Sequence, residues 1–134
     1  MTATTQDRNT PFKDGELIVV PVAAGVKIPA GTLVVAGATG FATPGSTATG
    51  LACLGMADAH VDNTAGADGA VSVPVRRGKA FKWANDTSNP VTQAGLGRPC
   101  FIVDNQTVSG TDGSNTRSPA GIVLGLDVDG VWVI

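Results

Sequence analysis

The chain has 134 residues, of which 43% are apolar and 15% charged, with a net charge of −2. That is enough for one domain with a modest core and too apolar for a disordered tail. The slight acid excess argues against sequence-independent DNA binding, which needs a basic face. No stretch approaches the roughly 20 apolar residues that span a bilayer. Residues 1–8 are polar and lack the apolar core of a secretion signal, so none is expected.

Residues 1–15 read as an extended arm. They are rich in Thr, Asn, Gln and charge, are punctuated by Pro11 and Gly15, and show no period. Such a segment is disordered or ordered only against a partner. The remainder, 16–134, reads as a single β domain built from short strands. Residues 16–22 are β-branched and apolar. Residues 26–35 hold two short apolar pieces around the turn Pro29-Ala30-Gly31. Residues 51–57 form a third run. Residues 70–77 alternate as a half-buried strand does, and 80–83 continue after Gly78. A helical turn is expected near Val91–Ala94, kept short by Gly95 and Gly97. Residues 99–104 and 121–128 are further strands. Asp129-Gly130 is then expected to turn the chain into a last strand, Val131 to Ile134. Period two puts Val131 and Val133 on one face of it, and Trp132 with Ile134 on the other. If both faces are covered, Trp132 belongs to the core. The stretches 43–47 and 112–116 are surface loops by composition. Short strands separated by turn signals make a small barrel or sandwich, so the fold class is all-β.

Residues able to do chemistry are few. The two cysteines, Cys53 and Cys100, and the one histidine, His60, do not form a zinc-ligand pattern. Both cysteines sit among apolar residues and read as small buried hydrophobes rather than as a disulfide. If Asp58, His60 and Asp62 lie on one strand, they share a face and could orient an imidazole or weakly bind a metal. The plainer account is the solvated side of a strand entering the loop 63–66. The Gly-rich stretches 37–40 and 66–69 lack the following Lys and the helix start that a phosphate cradle needs, and so read as turns. Arg76, Arg77, Lys79 and Lys82 concentrate four of nine cations beside Phe81 and Trp83. A solvated turn or a contact to an acidic protein surface explains that cluster more easily than single-stranded nucleic acid does. No catalytic, cofactor-binding or metal-ligating set emerges. The profile suits a protein whose product is a surface.

Two stretches carry a resemblance, and short segments between them add to it. The turn and strand of residues 26–34, with Ile28-Pro29-Ala30-Gly31, look like the early strands of β-clip domains. Residues 98–108, 116–123 and 129–133 resemble capsid cement, or head decoration, proteins of tailed bacteriophages. Gly55-Met56-Ala57, Val71-Ser72-Val73 and residues 77–81 are similar to the middle of that family. The likeness covers roughly residues 15–134. It implies a small β-clip or β-tulip-like barrel or sandwich that binds the exterior of the capsid. Its partners would be the major capsid protein and further copies of itself, as a homotrimer or, in the other arrangement, a dimer. Such a protein is made in the bacterial host cytoplasm, acts in the virion and is not an enzyme. It needs no cofactor, direct nucleic-acid contact or membrane. By position, the arm residues Thr5, Gln6, Asp7, Arg8, Pro11 and Phe12 and the basic residues Arg76, Arg77 and Lys79 become candidate capsid or subunit contacts. The other readings are a small β-clip module for carbohydrate or a host surface, which would need an exposed aromatic platform, and a β-clip nucleotide hydrolase, whose acidic and Ser-Gly motifs are not found.

Overall fold

A chain with so many β-branched residues between Gly and Pro can satisfy its backbone only by pairing short strands. The computed structural model describes residues 2–134 and is all-β. Twelve strands follow the arm: β1 (Leu17–Pro21), β2 (Lys27–Ile28), β3 (Leu33–Ala36), β4 (Ala42–Pro44), β5 (Ala52–Ala57), β6 (Val61–Asp62), β7 (Ser72–Arg76), β8 (Phe81–Asn85), β9 (Pro99–Ile102), β10 (Thr107–Ser109), β11 (Pro119–Asp127) and β12 (Gly130–Val133). A single 3₁₀ turn, Gln93–Gly95, lies between β8 and β9.

The strands divide into two bodies. The first is a five-stranded sheet in the order β1-β7-β5-β3-β4, with the β2-β6 ribbon beside it. A parallel bridge from Val22 to Ala42 ties the end of β1 to β4 and draws this sheet towards a cylinder. The second is a closed barrel in the order β10-β8-β12-β11-β9. Each has its own core. Val22, Ile28, Val34, Ala42, Ala57, Val73 and Val75 fill the first. Trp83, Val91, Cys100, Ile102, Val108, Val123, Val131 and Val133 fill the second.

Strand β3 joins them. Alternation along a strand sends neighbours to opposite faces, and here both faces are covered. Leu33 and Val35 belong to the barrel core, whereas Val34 belongs to the sheet core. All three are fully buried. Polar ties reinforce the junction. The Ser118 hydroxyl donates to the Ala48 carbonyl at 2.7 Å and accepts from the Leu51 N–H at 3.0 Å. The Thr47 hydroxyl donates to the Val103 carbonyl at 2.7 Å.

Several sequence expectations are corrected. Thr43 and Pro44 lie in β4 rather than in a loop, because their backbone pairs with Val34 and Val35. The last hairpin turns at Val128 and Asp129, and Gly130 already pairs with Asp127. The glycine answers a packing demand instead: a Cβ at 130 would lie 2.8 Å from the Trp83 carbonyl oxygen and 2.7 Å from Lys82 Cγ. Trp132 faces outward with 37% of its surface exposed, so it is not a core residue. The buried tryptophan is Trp83, on β8.

Candidate interaction surface

Residues 2–15 are exposed throughout and pair with no strand of their own chain. The contacts inside the arm are local: the Gln6 N–H donates to Thr4 Oγ1 at 3.1 Å. Thr5, Gln6, Asp7, Arg8 and Pro11 are all exposed. Phe12 shows 97% of its surface to solvent. A full aromatic side chain left in water forgoes about 1.5–3 kcal/mol of burial. Met1, the first residue of the expected arm, lies outside the described residues.

The basic cluster is spread over a strand, a turn and the next strand, and most of its charge is met locally. Arg76 makes two parallel bonds to Asp58, at 3.1 and 3.2 Å. Lys79 lies 3.4 Å from Glu16. Lys82 donates to both oxygens of Asp129, at 3.0 and 3.1 Å, and lies 3.8 Å from Asp127. That bonding raises the Lys82 pKa and lowers that of Asp129. Arg77 makes no such pair among the described residues. It lines, with Lys79, Cys53, Phe81, Trp83 and Ile134, a cleft of about 150 Å³ between the two bodies.

Asp58, His60 and Asp62 do not share a strand face. Strand β5 ends at Ala57, the chain bends at Asp58 and Ala59, and β6 starts at Val61. Asp58 is held by Arg76. Asp62 accepts from the N–H and hydroxyl of Thr64, which lowers its pKa. All three side chains are exposed. Among the described residues, no group of three or more His, Cys, Asp or Glu side chains is placed to hold a metal ion. Cys53 and Cys100 are free thiols. Burial raises the pKa of both, that of Cys100 to about 12.

The outer face of the C-terminal hairpin was only half visible in the sequence. Ile122 and Ile134 exchange two backbone hydrogen bonds, at 2.8 and 3.0 Å, and so stand directly opposite each other. Trp132 follows two residues before Ile134 on the same face. Leu124 is the extra residue of a β-bulge between the pairs Val123↔Val133 and Gly125↔Trp132. All four side chains are exposed, Ile134 by 60%. At the turn end the patch has a polar rim. Trp132 Nε1–H donates to Asp127 at 2.8 Å, and the Lys82 ammonium lies 5.6 Å from the Trp132 ring centroid. The continuous apolar run of 122–126 was the available signal: a strand apolar at both parities has a second face to cover.

No family model, curated protein or solved structure matches this chain.

Proposed function

We propose that this protein is a structural component of a bacteriophage virion that binds the outer surface of the capsid and stabilises the shell. The observation that carries this reading is the outer face of β11 and β12. Four large apolar side chains, Ile122, Leu124, Trp132 and Ile134, stand on adjacent strands of a barrel whose core is complete without them. An apolar patch with a polar rim is the surface form of a protein–protein contact. The arm adds a second contact, with Thr5, Gln6, Asp7, Arg8, Pro11 and Phe12 free to lie along the major capsid protein. Arg77 supplies a cation for a capsid carboxylate, and Arg76 and Lys79 can exchange their present partners for the same purpose.

Its mechanism is thermodynamic rather than catalytic. A protein that binds the assembled shell and not the separated subunits stabilises the shell by mass action. Many copies act together, so each contact can be weak. A carbohydrate-binding role is less well supported, because the Lys82 ammonium sits over the Trp132 ring where a stacking platform would be open.

The test is co-sedimentation of the purified protein with expanded heads of the phage that encodes it, prepared without it. Wild type should pellet with the heads and raise their disruption temperature. The double variant Trp132→Ser with Ile134→Ser should stay in the supernatant while keeping its fold. Wild-type protein that remains in the supernatant at low and moderate salt would reject the reading.

A further inference from the structure

The first body carries a second unpartnered feature, an open strand edge. The direction of each backbone group along β1 follows from its bonds. The Arg77 N–H donates to the Glu16 carbonyl at 2.8 Å, and the Val22 N–H donates to the Val71 carbonyl at 3.0 Å. Both bonds run towards β7, so Glu16, Ile18, Val20 and Val22 point that way and the odd residues point outward. Past Pro21 the outward side is occupied, since the Ala23 N–H donates to the Ala42 carbonyl at 3.0 Å. Between Arg77 and Ala42 lies a short window in which β1 has no outer neighbour among the described residues. It presents the N–H and C=O of Leu17 and of Val19.

The window carries few of the usual guards of a free edge. Charge, proline and bulges normally protect such strands. Here Pro21 stands only at the end, and the two outward-facing side chains are Leu17 and Val19, exposed by 46% and 71%. Ile18 and Val20 on the other face are half-buried in the sheet core. A strand apolar on both faces, with free amides, has the character of an interior strand.

We propose that two copies of this chain pair β1 against β1 about a twofold axis at Ile18. The window is complementary to itself in that register. Leu17 of each copy then faces Val19 of the other as a hydrogen-bonded pair, and the four resulting bonds use every free amide of both windows. Each exposed leucine covers an exposed valine on the same face, an apolar cross-strand pair. Shifting the axis to Val19 would instead set Leu17 against Pro21, which has no N–H to give. The exposed arm before β1 is free to turn away from the ladder before it meets β4 of the other copy. The paired sheets form one ten-stranded sheet, whatever the other faces bind.

Val19→Pro tests this directly. It removes the outward N–H without touching the bonds to β7, and proline is tolerated on an edge strand. In sedimentation equilibrium at micromolar concentration, wild type should have twice the 13.4 kDa chain mass. Val19→Pro and Val19→Lys should each be monomeric, and the Lys variant settles the matter if the Pro variant fails to fold. Deleting residues 2–12 should leave the dimer intact, which separates β1–β1 pairing from capture of a partner's arm. A wild-type monomer, a wild-type trimer, a dimer that survives both Val19 changes, or one lost with the arm would each overturn the proposal.

Discussion

The barrel of β8 to β12 closes on itself, whereas the five-stranded sheet leaves β1 open from Leu17 to Val19. Both bodies expose apolar side chains, but closure decides how. A barrel without edges can offer a partner only a face, and here that face is Ile122, Leu124, Trp132 and Ile134. An open sheet also offers backbone hydrogen bonds, which demand an extended strand in a defined register. The first suits a broad contact with a shell, the second a specific contact with one other strand. The same hydrophobic composition therefore yields two different kinds of surface, separated by the shared strand β3.

The comparison breaks hardest where a side chain fills the barrel. Trp83→Ala should cost about 3–5 kcal/mol in urea unfolding, as a large-to-small change in a packed core. Leu33→Ala should cost about 2–5 kcal/mol. Because β3 packs side chains into both cores, the variant should still unfold in one transition followed equally by fluorescence and circular dichroism. Two separate transitions would show that the bodies are independent. Asn63 sharpens the sheet side of the comparison. Its amide nitrogen lies 3.2, 2.9 and 3.0 Å from the carbonyls of Val22, Ala23 and Ala67. The Val22 and Ala67 carbonyls keep the N–H groups of Gly69 and Ala70, so Asn63→Ala leaves the Ala23 carbonyl without its donor, at a cost of about 1–3 kcal/mol read from the same urea curves.

The thiols respond to pH. Burial raises the Cys100 pKa from 9.0 to about 12. The folded state therefore keeps a proton that the unfolded chain releases. This contribution is fully present below pH 9 and is lost as pH rises from there towards about 12, by about 1.4 kcal/mol per pH unit at most. Urea midpoints at pH 8 and pH 10 should separate, and Cys100→Ala should bring them closer. The smallest effect belongs to the outer face. Trp132→Ala removes an exposed ring, one hydrogen bond and a cation–π contact, and should cost no more than about 1 kcal/mol. A loss as large as that of Trp83→Ala would remove the distinction between the two tryptophans.

Much of the fold was legible because its strands announce themselves locally. The runs at 16–22, 51–57, 70–77 and 99–104 contain β1, β5, β7 and β9, and alternation put Val131 and Val133 on one face, which the structure buries. Strands β4 and β10 were not visible. They are three residues each, too short to show a period, and take their form from pairing, β4 with the preceding β3 and β10 with the preceding β9 and the more distant β8. Gly130 misled for an instructive reason. Asp-Gly is a turn signal, but this glycine is needed where β12 passes close to β8. Gly55 is a second backbone requirement hidden within an apolar run: its φ is +138°, and a Cβ there would run into the Arg76 carbonyl. The surface was less legible than the core. A charge cluster in sequence does not show that Arg76, Lys79 and Lys82 have their own carboxylates, because Asp58, Glu16 and Asp129 come from other strands and turns.

The most direct measurement is a residue-level electron cryomicroscopy reconstruction of decorated, expanded heads. It should show Ile122, Leu124, Trp132 and Ile134 packed against the major capsid protein, with the arm extended along the shell. A reconstruction with that face turned to solvent, or heads on which the protein occupies no ordered site, would contradict the account.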